Sequence, residues 1–548
     1  MPYFDWYSVD AQLNGAWVDI TRDVVGEISC GYSIMANGPL DRVAGPGELK
    51  ILLNNSRGNS AGKRGYYSPN HSNCRAGWKP GIKLRVRFSL DGRVIRKWIG
   101  KIPVKEGMKP YTGVLAADKL VEVTARTFIE DMANHTLTEI KMETEKTAAE
   151  GLALVLADMP VAPDGTVDYG TMESTFPTIF DTARSNTSAL GEVSKLVQSE
   201  IGFFYETRSG LVIEGRQTRS AEKTVLDKYP QAKSMLSYLV DSDGNYLNAN
   251  GKKLLASAGT DAQFTDSQLE MDVSENTNFY NNVRFVAYPR RIDAAATSVL
   301  FELSSAMQIK AGESAVISGG YSDPDNKAKS VSCIDAVDVL VAGVHYALNS
   351  AKDGSGTDLS ADLAISLSWS TGRFAYSVEN IGAVDGYIVL LKVIGQGVYL
   401  DDPAEFYLQS DASIALYGKS APLIVDMKYQ DDPMVALRWG RIALYQYSAL
   451  RDHVNSVKYP ANRDFKYLSA FLYLEPGDRI RLYEGMTGIG QDFFIQGVQF
   501  TIQDDLVFFT WTLRAAAYDV FQPVKWTSDT TPVPGSGSWS DDVYGWDF

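Results

Sequence analysis

Gly81-Ile-Lys-Leu-Arg-Val-Arg-Phe88 alternates apolar and basic residues. In an extended chain Leu84, Val86 and Phe88 fall on one face, and Lys83, Arg85 and Arg87 on the other. Asp91-Gly92 supplies a hairpin turn, and Val94 to Ile99 is the returning strand. The pattern recurs far along the chain. Gly477-Asp-Arg-Ile-Arg-Leu482 leads through a loop to Phe494-Ile-Gln-Gly-Val498, as Gly81 leads to Trp98-Ile-Gly-Lys-Ile102. Gly100 and Gly497 lie 19 and 20 residues after Gly81 and Gly477. A similar strand follows each copy: Leu120-Val-Glu-Val-Thr-Ala-Arg-Thr127 and Leu506-Val-Phe-Phe-Thr-Trp-Thr512. The echo predicts two copies of one small β-barrel domain, at either end of the folded chain.

The chain between them changes texture. Thr144 to Asp158 reads as a helix, with Thr147 and Glu150 at capping-box spacing. Residues 188–207 read as helix and then strand, and Asp241-Ser-Asp-Gly-Asn245 as a hairpin turn. From 292 to 418, Gly, Ser and Asp turns at short intervals predict an inserted β-sandwich. Asp432 caps a helix with Pro433 at its first position, running to about Arg451; Val435, Trp439, Ile442 and Ala449 form its buried stripe. The expected fold is mainly β with α+β. The expected domains are a first β-barrel (1–139), a mixed α/β domain (140–291), the sandwich (292–418), a helix plus second β-barrel (419–522) and a C-terminal docking tail or linker (523–548).

Composition narrows the class. The 548 residues are 45% hydrophobic and 22% charged, which excludes wholesale disorder. Three cysteines, Cys30, Cys74 and Cys333, cannot make a disulfide framework and suggest a reducing compartment. The N-terminus carries no signal-peptide pattern, and no apolar run reaches the ~20 residues that cross a bilayer. The expectation is a soluble chain made in a cytoplasm. Its net charge of -15 opposes duplex-DNA binding by the whole surface. That charge is uneven. Residues 75–105 hold ten Lys/Arg and one acidic residue, whereas 292–418 hold six Lys/Arg against 16 Asp/Glu.

Catalytic motifs are sparse. There is no HExxH, paired CxxC, Walker A loop or dinucleotide fingerprint, and no cofactor is implied. His71 and Cys74 have half of a metal-ligand spacing without a second half, and read as an Asn/Gly-rich loop. Gly58-Asn-Ser-Ala-Gly62 matches a nucleophile elbow, but the following Lys63-Arg-Gly-Tyr-Tyr is a poor helix start, so Ser60 reads as a loop residue. Asp241 to Asn245 lacks the closing Glu of a calcium loop, with Lys252 in its place. Asp353-Gly-Ser-Gly-Thr-Asp358 with Asp362 reads as a solvated turn.

Several of these segments together resemble a family. Trp17-Val-Asp-Ile-Thr-Arg-Asp-Val24, Gly47-Glu-Leu-Lys-Ile-Leu-Leu-Asn54, Tyr67-Ser-Pro-Asn70 and Gly81-Ile-Lys-Leu-Arg85 resemble the first domain of tailed-phage tail-tip and baseplate hub proteins. Val457-Lys-Tyr-Pro460, Leu474-Glu-Pro-Gly-Asp-Arg-Ile480 and Phe494-Ile-Gln-Gly497 are similar to that family's closing β-domain. The resemblance implies a trimer whose six β-domains form a pseudo-sixfold ring, matching a sixfold tail tube to a threefold tip. It implies a virion protein at the tail tip, assembled in host cytoplasm, with a distal tail or tail-tube protein, the tape measure protein C-terminus and a central fibre or spike as partners. No lytic extension follows residue 520, so the expectation is a structural protein and not an enzyme.

Three sets of residues are candidate contacts. Lys83, Arg85, Arg87, Arg93, Arg96 and Lys97 read either as a solvated strand face or as a contact with an acidic tail neighbour or, transiently and non-specifically, with passing phage DNA. Trp369, Phe374 and Tyr376 are candidate glycan contacts if the sandwich recognises a host surface. Trp539, Tyr544, Trp546 and Phe548 are candidate docking residues in a polar tail. A host-surface glycan-binding protein and a carbohydrate-active tail enzyme are the alternative functions.

Overall fold

The computed structural model describes residues 4–516, apart from 91, 111–118, 138–139, 182–186, 217, 220–247, 250–251, 254–262, 266–267, 276–277, 451 and 464. The N-terminal strands are β1 (Trp6–Leu13), β2 (Ala16–Asp19), β3 (Val24–Ser33), β4 (Glu48–Asn54), β5 (Lys83–Leu90), β6 (Arg93–Lys101), β7 (Met108–Pro110) and β8 (Leu120–Arg126). The alternation in β5 holds: Leu84, Val86 and Phe88 are buried, and Lys83, Arg85 and Arg87 are half-buried between them. β5 pairs β6 from Lys83↔Lys101 to Leu90↔Arg93, a hairpin with Gly92 in its turn.

The middle of the chain supplies α1 (Ala148–Asp158), α2 (Ala189–Glu200), β9 (Phe203–Thr207) and β10 (Gly210–Glu214). Thr147 and Glu150 close the expected capping box on α1, each accepting the other's backbone N–H. Ser188 caps α2, and Ile201 ends it in the left-handed region. Phe176, Leu152, Val193, Leu196 and Phe204 share one core here.

The later elements are β11 (Gln263–Thr265), β12 (Glu270–Glu275), β13 (Asn282–Ala287), β14 (Gly386–Leu400), β15 (Ala404–Gln409), β16 (Leu423–Met427), α3 (Pro433–Tyr447), β17 (Asp452–Pro460), α4 (Phe465–Tyr473), β18 (Arg479–Glu484), β19 (Ile489–Gln503) and β20 (Leu506–Ala515). The long strand β14 is the spine of a seven-stranded sheet, and faces the three strands Ser314–Gly319, Leu363–Ser370 and Arg373–Asn380 across a shared core. β15 instead pairs β13, which also pairs β16 in parallel. α3 lies on that sheet. Asp432 caps it as expected, by accepting the Met434 N–H. Its most buried stripe is Ala436, Gly440, Ala443 and Tyr447, one residue on from Val435, Trp439 and Ile442, which are half-buried, while Ala449 lies beyond the helix and is exposed. The small residues set that rotation: a Cβ on Gly440 would stand 2.9 Å from the Leu408 side chain, so the helix lies close to β15.

The two echoed segments do not form two closed barrels. They are halves of one 14-stranded sheet with the order β12-β17-β20-β19-β3-β4-β8-β6-β5-β1-β2; β18 and β7 pair off this path with β19 and β8, and β11 pairs β18. The reason lies at the strand edges. β3 pairs β4 on one side and β19 on the other, so each half satisfies an edge that a barrel would have to close on itself. Within the halves the match is strand for strand. β5-β6-β8-β4-β3 and β18-β19-β20-β17-β12 follow the same order, antiparallel throughout.

The turn glycines repeat as well. Gly81 has φ +88° and Gly477 φ +89°. The Gly81 N–H donates to the Ile102 carbonyl, and the Ile102 N–H to the Ile82 carbonyl; Gly477, Ile495 and Asp478 make the same two bonds. Gly100 and Gly497 are not register equivalents in these hairpins: Gly100 faces Leu84 across β5, whereas Gly497 lies beyond the last residue of β19 that faces β18.

Candidate functional site

The seam between the halves joins the first strands of the described chain to nearly the last. It runs from Ile28↔Ile502 to Ser33↔Gly497. Gly497 is required there: a Cβ would stand 2.5 Å from the Ile34 carbonyl oxygen.

Beneath the seam sits a buried polar node centred on Glu475. Its Oε1 lies 2.8 Å from Lys97 Nζ. Its Oε2 accepts from the Tyr32 hydroxyl at 2.9 Å and from the Arg208 N–H at 3.0 Å. Its own N–H donates to Asp478 Oδ2 at 2.7 Å. The side chains of Lys97 and Glu475 are both fully buried. Tyr32 comes from β3, Lys97 from β6, Arg208 from the β9–β10 turn and Glu475 from the loop before β18. One carboxylate therefore ties both sheet halves to the α/β region. Burial lowers the Lys97 pKa and raises that of Tyr32 well above its usual value, because each charged form would lose water. The Lys97 ammonium also lies 5.3 Å from the Phe471 ring centre.

A bulge aims Lys97 inward. Val86 faces Trp98 and Arg87 faces Arg96, so Lys97 is the extra residue between two pairs. Strict alternation gave no sign of this. A cavity of about 30 Å³ adjoins the node, lined among others by Arg96, Trp98, Thr127 and Glu206. Burial pushes the Glu206 carboxyl up to about 7. Among the described residues, Glu206 Oε2 and Trp98 Nε1 are buried without hydrogen-bond partners.

The other candidate cations are mostly satisfied within the chain. Lys83 pairs with Asp164. Arg85 and Arg87 bracket the buried Asp10, with contacts of 2.8 and 2.6 Å, and stack near Trp17 and Trp6. Arg96 donates to the Arg208 carbonyl. Arg93 is exposed beside the hairpin turn. Of the six, Lys97 therefore offers no surface to DNA or to a partner. Asp10 lies on the β1 face that also carries Trp6, Ser8 and Gln12, and stands opposite Arg85 in the sheet; a pairing between distant strands leaves no mark in local sequence.

Phe374 and Tyr376 are core residues of the 298–400 region, 2% and 0% exposed, and offer no stacking face to a sugar. Their alternation on one strand was that of core-facing residues. Trp369 is half-buried, with the Lys141 ammonium 5.5 Å from its ring. Trp539, Tyr544, Trp546, Phe548 and the Asp241–Asn245 turn lie outside the described residues. Ser60 is tied by its hydroxyl and N–H to buried Asp23, which also accepts the Tyr67 hydroxyl. His71 Nδ1 accepts the Asn73 N–H in the same long loop. Asp353 accepts from Ser355 in a local turn. Among the described residues, no three His, Cys, Asp or Glu converge as a metal site, and no helix is long and apolar enough to cross a membrane.

No family model and no curated protein matches the sequence. Solved structures do match. The solved structures it resembles include phage tail proteins. A 43 kDa tail protein of prophage MuSo2 from Shewanella oneidensis matches at 9% identity with a TM-score of 0.47, over 94% of this chain and 99% of that one. A tail protein from Neisseria meningitidis MC58 matches at 8% identity and TM-score 0.45, with the same coverage of 94% and 99%. A type VI secretion component from E. coli, described as structurally similar to the T4 phage tail proteins gp27 and gp5, matches at 10% identity and TM-score 0.34, over 92% of this chain and 78% of that one.

Proposed function

We propose that this chain is a structural virion protein, the trimeric hub of a phage tail tip or baseplate. It joins a sixfold tail tube to a threefold distal fibre or spike, and forms part of the channel or plug for DNA ejection. The observation that carries this reading is the strand-for-strand match of the two sheet halves. Three chains with two like halves each present six similar positions to a tube and three to a tip. The work is shape and symmetry matching, not catalysis. A distal tail or tube protein, the tape measure C-terminus and a central fibre are its partners, and the aromatic residues after 523 dock onto one of them.

Mass photometry of the purified chain and imaging of labelled tail tips test the reading together. A trimeric mass with label at the tip is expected. A strictly monomeric chain that never enters particles refutes it. Deleting residues after 523 without any loss of tail assembly removes the docking role of the tail.

A further inference from the structure

The two halves match in order but differ at one edge each. In the second half, β19 is continuous: it pairs β18 first, then carries β3 along the rest of that edge. In the first half the equivalent strand is split. β6 pairs β5, the chain leaves the sheet at 102–107, and β7 resumes against β8. Met108↔Val123, Lys109↔Glu122 and Pro110↔Val121 correspond to Phe500↔Phe509, Thr501↔Phe508 and Ile502↔Val507, when Leu120 is matched to Leu506. Among the described strands, β7 pairs only β8. The strand equivalent to β3 in the second half is β12, which pairs only β17. One chain thus holds one completed seam, one edge of the kind that donates to a seam, and one of the kind that accepts.

We propose that β12 of one copy adds to β7 of a second copy, repeating between chains the seam that β3 and β19 make within one. The internal seam fixes the register. Cys30 faces Phe500, Ser29 faces Thr501 and Ile28 faces Ile502. Carried through the matched strands, Met271 then faces Met108, Glu270 faces Lys109 and Leu269 faces Pro110. The chemistry fits at each pair. Two half-buried methionines meet, an acid meets a base, and Leu269, 58% exposed in one chain, covers a proline ring. Lys109 on an edge strand discourages indiscriminate pairing, and Glu270 is its complement. The contact is head-to-tail, because donor and acceptor edges are different surfaces, so it closes only as a ring or runs on as a filament. The edge pairing stands on the strand match alone; the closure at three copies rests on the trimeric reading above.

The test uses the full chain with Cys74→Ser, since Cys30 and Cys333 are buried. Met108→Cys and Met271→Cys together, treated with a short bifunctional thiol reagent, should give covalent dimers and trimers. Either substitution alone should give none. Mixing the two single variants should give heterodimers. A chain that is trimeric by mass yet shows no such cross-link overturns the edge pairing and leaves the hub reading standing. Cross-linked rings of another number, or filaments, do the reverse. Independently, Lys109→Glu should lower the assembled fraction by roughly tenfold or more, and adding Glu270→Lys to the same chain should restore it. A double variant that assembles no better than Lys109→Glu also overturns the proposal. If Lys109→Glu does not fold, the cysteine pair decides.

Discussion

Lys97 and Glu475, 378 residues apart in the chain, form an ion pair 2.8 Å long with no solvent exposure at either side chain. Removing one partner of a buried pair strands the other charge, at a cost of about 3–5 kcal/mol. Lys97→Ala should fall in that range in urea unfolding. Glu475→Ala should cost more, because Tyr32 and the Arg208 N–H lose their acceptor as well. Lys97→Met with Glu475→Gln removes both charges and keeps an acceptor, so it should recover most of the loss. Equal losses in the single and double variants would show that the charges do not act as a pair.

Glu206 makes stability depend on pH. Its folded pKa of about 7 stands above the ordinary 4.5, because burial disfavours the carboxylate. The folded state therefore binds the proton more tightly. Its advantage is complete below about pH 4.5 and is lost as pH rises through about 7, on the order of 3 kcal/mol in all. Glu206→Gln should flatten that decline between pH 5 and 8. Parallel wild-type and variant curves over this window would contradict it.

Gly81 and Gly477 share a backbone conformation but not a neighbourhood. A Cβ on Gly81 meets nothing within 4 Å, whereas one on Gly477 would stand 2.1 Å from the Tyr205 hydroxyl oxygen. Gly81→Ala should cost about 1 kcal/mol, from the left-handed backbone alone. Gly477→Ala should cost clearly more, since it also displaces Tyr205 from Glu214. Thermal melts of the two variants compare them directly, and equal shifts would remove the steric argument.

The cations of residues 83–97 should bind DNA weakly. Six phosphate contacts would give a slope of about −5 in log affinity against log salt, and one contact about −1. With Lys83, Arg85, Arg87 and Lys97 paired inside the chain and Arg93 exposed, a shallow slope near the second value is expected. A salt titration giving the steep slope would mean that these pairs open on binding.

The strands were legible because a two-residue period survives any context: Leu84, Val86 and Phe88 are buried as their alternation implies. The helix caps at Thr147 and Asp432 were legible because capping is local chemistry. Barrel closure was not, because whether a sheet closes depends on which strand covers its edge, and β3 finds that partner at Cys30↔Phe500. The burial of Lys97 is not legible in the sequence, because a bulge leaves no mark in residue type. Phe374 and Tyr376 alternate on one strand as Leu84, Val86 and Phe88 do on β5, and that alternation marks a core-facing pair, not a sugar-binding surface.

The seam also sets a clock. Cys30 leaves the ribosome 470 residues before Phe500, its partner. At about 5–20 residues per second, that interval is on the order of 25–90 s. Through all of it β3 has one edge with no mate, so the large sheet cannot be completed until β19 has been translated. A truncated product ending before β19 would lack the strand that joins the two halves.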